Sequence, residues 1–185
     1  MILTEQEKYK ITYLARKALE SEFQEKPISL EIKEKSLMQR RGAFVFLENT
    51  EGEIRGASGY LMPEMPLWKT IVHSTKLAMR DQRYPPIQQQ EAQEIRISIT
   101  LITEVKPLTK ELQENKGILA IYGPLQGITF PQEIKKRGWT MKEALFQTLK
   151  KAKIPEGARK SEECKIYEIT CETVQENKTY LKHRL

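Results

Sequence analysis

Residues 43–60 read AFVFLENTEGEIRGASGY, and this stretch predicts an antiparallel β-hairpin. The apolar run over 43–48 is followed by a turn marked by Asn49 and Gly52, and residues 53–60 return as the second strand. The returning strand carries Gly56 and Gly59, although glycine packs no side chain in a strand and costs conformational entropy. We therefore expect a specific structural or functional reason for glycine at both positions.

Two interpretations of the glycines follow from their chemistry. Gly56 and Gly59 mark either a close approach of backbone or ligand to the strand, or a β-bulge. A bulge also turns Arg55 out of the core-facing set, where its guanidinium fork suits a carboxylate or phosphate. The alternative for Arg55 is a structural ion pair with a nearby acid, and the sequence leaves both open. Because the spacing is not GxGxxG, a dinucleotide-binding loop is not expected.

The sequence outside the hairpin predicts further helices and strands. Amphipathic helices are predicted over residues 4–20, from Pro66 to about Arg80, and from Thr140 to a point before Pro155, with Pro27 breaking the first pattern. Further strands are predicted over residues 95–101, 117–122, 127–130 and 165–175. Because these strands and helices follow no regular βαβ order, we predict an α+β fold with a mainly antiparallel sheet and flanking helices. No internal repeat or linker divides residues 1–185, so we expect a single domain.

Local patterns within these elements make finer predictions. Thr4 with Glu7 and Thr140 with Glu143 have the T-x-x-E spacing of a helix capping box. In residues 95–101, IRISITL, isoleucine and leucine alternate with Arg96, Ser98 and Thr100. That alternation predicts a half-buried strand with one face in water.

The composition is that of an ordinary globular protein, with 185 residues of which 39% are hydrophobic and 30% are charged. No segment approaches the run of about 20 apolar residues that spans a bilayer. The N-terminal segment, MILTEQEKYK, is too short and polar for a signal peptide, so we expect a cytoplasmic protein with no membrane contact. Cys164 and Cys171 are then expected as free thiols. His73, expected as a partly buried helix residue, and His183 form no metal-binding spacing with them, so no metal is expected.

The positive charge is concentrated in residues 135–160. This segment holds nine Lys/Arg and two acids, whereas the rest of the chain has a net charge of −1. A basic face of this kind attracts RNA or other polyanions through phosphate neutralisation. The simpler alternative is a solvated helix face, and no interleaved aromatic residues or nucleic-acid motif point to base stacking.

A second polar segment is RDQRYPP, residues 80–86, where charged groups lie on a loop stiffened by Pro85 and Pro86. Loops braced in this way often carry function. The structural alternative is that Asp81 caps local backbone amides while Arg83 satisfies the carbonyls at the helix end.

A third polar segment is FPQEIKKRGW, residues 130–139, where Pro131 and Gln132 open a short helix after a strand. The free N–H groups of such a helix start can hold an anion. Gln132 either hydrogen-bonds a ligand amide or caps the helix. Trp139, after Gly138, is expected to anchor the core next to a chain reversal.

Taken together, the segments RGAFVFL, GEIRGASGYL, PLWKTIVHSTKLAMRDQRYPPI, IRISITLI and GITFPQEIKKRGW resemble the AMMECR domain family, from about residue 8 to residue 176. The resemblance implies a compact α+β protein whose two subdomains of unequal size, interleaved in sequence, surround a cleft lined by the RG strand. The ligand-binding residues expected in that cleft are Arg55, Gly56, Gly59, Arg83 and Gln132. The residues expected to hold the motif are Asp81, Pro85, Pro131 and Trp139.

The resemblance implies less about chemistry, because the activity of the family is not established. Many prokaryotic relatives are encoded beside, or fused to, Memo-type and radical-SAM proteins, which implies a partner of that kind. We expect a protein that binds a small anionic or amide-bearing ligand, with no cofactor, and the sequence does not decide whether it is an enzyme. The alternatives are docking of RNA or a partner protein through the basic face at 135–160, and a scaffold whose motif residues only join the two lobes.

The chain departs from the family pattern at positions that matter for catalysis. Ala57 stands where relatives carry a cysteine, and its methyl group rules out covalent catalysis from that position. Ser58 is no simple replacement, because adjacent strand residues point to opposite faces. Phe46 replaces a usual threonine, and Thr148 stands where cysteine is common.

Overall fold

A computed structural model describes residues 3–24, 31–109 and 111–177, so Pro27 and His183 lie outside the described residues. The described residues form five α-helices and six β-strands, with a 3-10 turn at Glu156–Lys160. The helices are α1 (Glu5–Gln24), α2 (Lys35–Met38), α3 (Leu67–Met79), α4 (Pro131–Arg137) and α5 (Met141–Lys151). The strands are β1 (Ala43–Glu48), β2 (Ile54–Tyr60), β3 (Arg96–Pro107), β4 (Gly117–Tyr122), β5 (Leu125–Thr129) and β6 (Cys164–Gln175).

The six strands form one sheet in the order β2-β1-β3-β6-β4-β5. β1 pairs antiparallel with β2 and with β3, and β4 pairs antiparallel with β5 and with β6. The predicted α+β class, with a mainly antiparallel sheet and flanking helices, is confirmed. In the part of the chain that is described, no helix is both long enough and apolar enough to cross a bilayer.

The chain forms two compact units of unequal size. Among the described residues, the first unit comprises those within 1–101 and after 171, and the second comprises those within 102–171, so the chain enters the second unit within β3 and leaves it within β6. Each unit has its own hydrophobic cluster of buried side chains.

The core of the first unit lies on one face of the β2-β1-β3 part of the sheet. Leu14 of α1, Ile71 of α3, Val45 of β1 and Ile99 of β3 are all fully buried in one cluster. Each such side chain stabilises the fold by roughly 1.5–3 kcal/mol when it leaves water. The capping box at the start of α1 is present, since Glu7 N–H donates to Thr4 Oγ1 and Thr4 N–H donates to Glu7 Oε2.

The predicted water-facing side of β3 is wrong for two of its three residues. Arg96 is exposed, but Ser98 and Thr100 retain only 6% and 0% of their surface. Both side chains are short, and their cross-strand partners on β1, Phe44 and Phe46, flank them on the same face, while β6 lies on the other side of β3. The hydroxyls of Thr100 and Thr173 lie 3.3 Å apart, which provides a hydrogen bond for a buried polar group.

The second unit packs α5 on β4 and β5. Ala144, Leu145 and Leu149 of α5 are buried against Ile118 of β4 in the second hydrophobic cluster. The predicted capping box is confirmed at the start of α5, where Glu143 N–H donates to Thr140 Oγ1 at 3.3 Å. The capping box therefore sets the start of α5 just after Trp139.

Candidate functional site

The candidate site is built on a β-bulge in the hairpin. Leu47 pairs with Gly56 and the next residue, Glu48, pairs with Ile54, so Arg55 is the extra residue of β2. A bulge of this kind bends the strand and redirects the side chain of the extra residue. Of the sequence-based alternatives, the bulge is therefore present, and it removes Arg55 from the regular alternation of faces.

The end of α3 lies directly on β2 because Gly56 has no side chain. A Cβ atom added at Gly56 would lie 2.0 Å from the carbonyl oxygen of Ala78, and one added at Gly59 would lie 2.4 Å from Cγ of Phe44. Both distances are far below van der Waals contact. The close approach at these glycines is therefore made by the protein itself, and at Gly56 it brings residue 81 up to the strand.

Asp81 and Arg83 cover the outer edge of β2 at Ala57. Asp81 Oδ2 accepts the backbone N–H of Ala57 at 3.0 Å, and Arg83 Nη2 donates to the carbonyl oxygen of Ala57 at 3.3 Å. β2 is the terminal strand of the sheet, where backbone groups would otherwise lack a partner. We call this arrangement of Asp81, Arg83 and the Ala57 backbone the edge clamp.

The electrostatics of the edge clamp are dominated by one ion pair. Arg83 Nε donates to Asp81 Oδ1 at 2.9 Å and Arg83 Nη2 donates to Asp81 Oδ2 at 2.6 Å, the two-pronged geometry that suits guanidinium and carboxylate. The hydrogen bonds from Arg83 lower the pKa of Asp81 to about 2, and the backbone N–H groups of Ala57 and Arg83 act in the same direction. Asp81 is therefore ionised throughout the neutral range.

The two partners of this ion pair differ in exposure. The side chain of Arg83 is 67% exposed, whereas that of Asp81 is only 9% exposed. The Arg83 guanidinium also lies 5.6 Å from the ring centre of Tyr84, which limits its freedom. Nε and Nη2 of Arg83 donate to Asp81, and Nη2 also donates to the Ala57 carbonyl oxygen, whereas Nη1 donates no hydrogen bond to any described residue. Arg83 therefore presents a fixed cationic group to solvent.

Arg55 has a different environment. Its Nη2 donates to Glu91 Oε1 at 2.7 Å and its Nη1 to the carbonyl oxygen of Pro85 at 3.3 Å, and the side chain is 19% exposed. Ile87 and Ala92, on either side of the Glu91 contact, are buried in the core of the first unit. Arg55 thus ties the loop that follows Asp81 to the bulge, and the structural ion pair considered from the sequence is present.

The remaining predicted site residues belong to the second unit. Pro131 is the first residue of α4, and Gln132, which is exposed, is the second. The residue before the helix is Phe130, and it makes no side-chain capping bond. Trp139 follows Gly138, which ends α4 in the left-handed conformation at φ 64°, and Trp139 packs against the core of that unit.

Ala57 and Ser58 face opposite sides of β2, as their adjacency requires. Ser58 pairs with Val45, whose side chain is buried in the core, whereas Ala57 pairs with Phe46 on the other face. The Ser58 hydroxyl is thus on the wrong face to take the place of a nucleophile at position 57.

Metal-binding chemistry has no candidate site among the described residues. No group of three or more His, Cys, Asp or Glu side chains there has the geometry to hold a metal ion. His73 is exposed on α3, so the expectation of partial burial was wrong. Cys164 and Cys171 are free, and burial raises the pKa of Cys171 to about 12, which keeps that thiol protonated.

Sequence reasoning missed Glu91 and the role of the Ala57 backbone. Glu91 is 36 residues from Arg55, and Ala57 is 24 residues from Asp81. The only available signal was the unusual RG strand itself, because neither partner has a distinctive local pattern.

Comparison with known proteins gives a consistent result. The AMMECR1 family model matches residues 12–174. The chain is 32% identical to protein NEQ441 of Nanoarchaeum equitans over 77% of this chain and 85% of that protein. It is 30% identical to a protein of Aquifex aeolicus over 92% and 93% of the two chains. The fold matches the crystal structure of the uncharacterised protein PH0010 from Pyrococcus horikoshii, with a TM-score of 0.87 and 23% identity over 95% of this chain and 94% of that one.

Proposed function

The chain belongs to the AMMECR1 family, and we propose that it binds a small carboxylate or phosphate ligand at the outer edge of β2. Arg83 is the residue that contacts the anion. Asp81 holds Arg83 in place, and Arg55 positions the loop that carries both.

The difference in exposure between Arg83 and Asp81 carries this proposal. In a solvated surface ion pair both charges face water, and each screens the other from a third charge. Here the Asp81 side chain is largely buried, while two thirds of the surface of the Arg83 side chain remains exposed. An approaching anion therefore meets the cation first.

Preorganisation supports the same residue. A free arginine side chain loses roughly 2 kcal/mol of rotamer entropy when it is fixed on a ligand. Arg83 is already fixed by Asp81, by the carbonyl oxygen of Ala57 and by the ring of Tyr84. Its outward nitrogen can therefore bind a carboxylate or phosphate oxygen with little further ordering.

Of the other residues expected to bind the ligand, Gly56 and Gly59 have a structural role and Gln132 remains a predicted contact. Gly56 leaves room for the Ala78 carbonyl at the end of α3, and Gly59 leaves room for Phe44, so both glycines allow these groups to pack directly on β2. Gln132 as a ligand contact stays a prediction, as does a Memo-type or radical-SAM partner. Ala57 leaves an uncharged methyl group beside the edge clamp, which is consistent with binding without a covalent intermediate.

A thermal-shift comparison tests the proposal. The probes are sodium phosphate, succinate and acetate at about 10 mM, well above a millimolar Kd, each against sodium chloride of equal ionic strength. We expect at least one probe to raise the Tm of the parent protein beyond its chloride control. The same probe should have no such effect on Arg83→Gln, measured relative to that variant's own Tm.

Arg80→Gln is the matched control. Arg80 lies three positions away, its side chain is 72% exposed, and it pairs with Glu22 instead of Asp81. It should keep the response of the parent. Equal responses of the Arg83→Gln and parent proteins would contradict the proposal, as would the absence of any anion-specific shift in the parent.

A further inference from the structure

An exposed aromatic residue lies between two lysines on the outer face of α5. Phe146 is 50% exposed, and Lys142 and Lys150, four residues before and after it, are also exposed. Residues four apart on a helix lie on one face, about 5–6 Å apart at Cβ. We call Lys142, Phe146 and Lys150 the α5 stripe.

The α5 stripe lies in a strongly basic part of the second unit. All nine Lys and Arg residues of segment 135–160 are exposed. Lys151 Nζ bonds Glu133 Oε1 at 2.6 Å, which joins the end of α5 to α4, where Lys135, Lys136 and Arg137 form the last turn. The nearby acid Glu143 accepts hydrogen bonds from the N–H and the hydroxyl of Thr140 in the capping box.

We propose that the α5 stripe binds single-stranded nucleic acid, with a base stacked on Phe146 and flanking phosphates contacted by Lys142 and Lys150. This is a second site, separate from the edge clamp, since it needs neither Arg83 nor Asp81. RNA docking through segment 135–160 is one of the alternatives considered from the sequence, but no aromatic residue there was expected to stack on a base. The signal was hidden because the sequence alone does not tell an exposed phenylalanine from a buried one.

Charge and residue type favour nucleic acid over a protein partner. Lysine is depleted in protein–protein interfaces, whereas phosphate contacts depend on Lys and Arg. Segment 135–160 has seven more cations than acids, which is a strong match to a polyanion. A protein partner would have to desolvate these ammonium groups to reach one phenylalanine.

The exposed ring favours a single strand over a duplex. A phenyl ring stacks on an unpaired base of any sequence, and stacking of this kind contributes about 1–3 kcal/mol per base. In a duplex the base faces are already stacked on each other. Phe146 would then gain little, and binding would depend on the lysines alone.

Fluorescence anisotropy with a labelled uridine RNA of about 16 nucleotides tests this proposal, because that length covers one binding site. We expect saturable binding at low salt that weakens as salt rises. Phe146→Leu, which keeps an apolar side chain but removes the ring, should weaken binding at least about 5-fold. Phe146→Tyr, which keeps the ring, should bind like the parent.

Lysine variants test the phosphate contacts. Lys142→Gln and Lys150→Gln should each reduce the slope of log affinity against log salt by about 0.7. Lys33→Gln, which removes an exposed cation of the first unit, and Leu77→Ala, which removes an exposed apolar side chain there, should leave the affinity unchanged.

Three outcomes would overturn the proposal. One is no binding at low salt, and another is equal affinity of the parent and Phe146→Leu proteins. The third is displacement of the RNA by poly-glutamate or by duplex RNA at the same charge concentration, which would indicate a non-specific polyanion surface. Arg83→Gln should bind the RNA normally, so failure of the edge-clamp proposal would not affect this result.

Discussion

The edge clamp depends on the backbone of residue 57 more than on its side chain. Both the N–H and the C=O of Ala57 are bonded by the loop that follows α3. Only the backbone N–H and C=O of residue 57 take part in the edge clamp, and the side chain has no role in it. An alanine at this position is therefore compatible with an intact edge clamp.

The ionised state of Asp81 should make part of the stability depend on pH. Its pKa is about 2 in the folded protein against an ordinary value of 3.8, so the unfolded chain takes up the proton first as pH falls. The stabilisation that ionised Asp81 contributes to the folded protein is complete above about pH 4 and is lost as the pH falls through about 2. A difference of this size corresponds to about 2 kcal/mol.

Urea unfolding of the parent and Asp81→Asn proteins between pH 7 and pH 2 measures this contribution. At pH 7 we expect Asp81→Asn to be less stable by about 2 kcal/mol. The difference in unfolding free energy between the two proteins should disappear as the pH falls to 2, because the other carboxylates titrate equally in both. A gap that stays constant with pH would show that the Asp81 charge contributes nothing.

Gly56 should be intolerant of any side chain. The added methyl group of Gly56→Ala would meet the backbone carbonyl of Ala78, which cannot move without shifting α3. We expect a loss of at least about 2 kcal/mol in urea unfolding, from overpacking and displacement of the clamp. Gly157→Ala is the control, because a Cβ atom there has nothing within 4 Å. Equal stability of the two variants would mean that the close approach at Gly56 carries no energetic weight.

At the scale of elements, short-range signals predicted helix starts well. Thr140 and Glu143 form their capping box from residues three apart, so no tertiary information was needed. We expect Thr140→Ala to cost about 1 kcal/mol in thermal or urea unfolding. Thr50→Ala, at an exposed turn position, should cost much less. If the two variants are equally stable, the box does not stabilise α5.

Longer-range features of the elements could not be predicted. The burial of Ser98 and Thr100 depends on the neighbouring strands, and Thr173 of β6, which contacts Thr100, lies more than 70 positions further along the chain. Alternation within β3 contains no information on these neighbours. The partners of Arg55 and Asp81 were hidden for the same reason. The sequence indicated which residues were unusual, and the tertiary structure determines which of their charges remain exposed.

At the scale of the whole molecule, the first unit is assembled from two distant segments. Arg16 of α1 donates from Nε to Glu176 Oε1 at 2.7 Å, although the two residues are 160 positions apart, and also donates to the carbonyl oxygens of Ala92 and Ile95. The two side chains are 4% and 5% exposed. This buried pair fastens α1 to the chain that follows β6 and to the loop that precedes β3.

Removal of one partner of this pair should be costly. Arg16→Met leaves a buried carboxylate without its cation, and we expect a loss of about 3–5 kcal/mol in urea unfolding. The double variant Arg16→Met/Glu176→Leu should recover most of the loss, because no charge is left buried. Lys17→Met, which removes the partly exposed ion pair with Glu20 and the contact with the Tyr13 ring, should cost less than about 1 kcal/mol. A double variant no more stable than Arg16→Met would show that the carboxylate was not the cause.

Isothermal titration calorimetry of one anion against three proteins measures whether Arg83 binds the anion. The anion is whichever of phosphate, succinate or acetate gives the largest thermal shift, and ionic strength is held constant. For the parent and Arg80→Gln proteins we predict the same saturable Kd, and for Arg83→Gln a Kd raised at least about 10-fold, the loss expected for a charge-assisted hydrogen bond. An unchanged Kd in Arg83→Gln would contradict the claim that the exposed guanidinium at the edge of β2 is the anion-binding group.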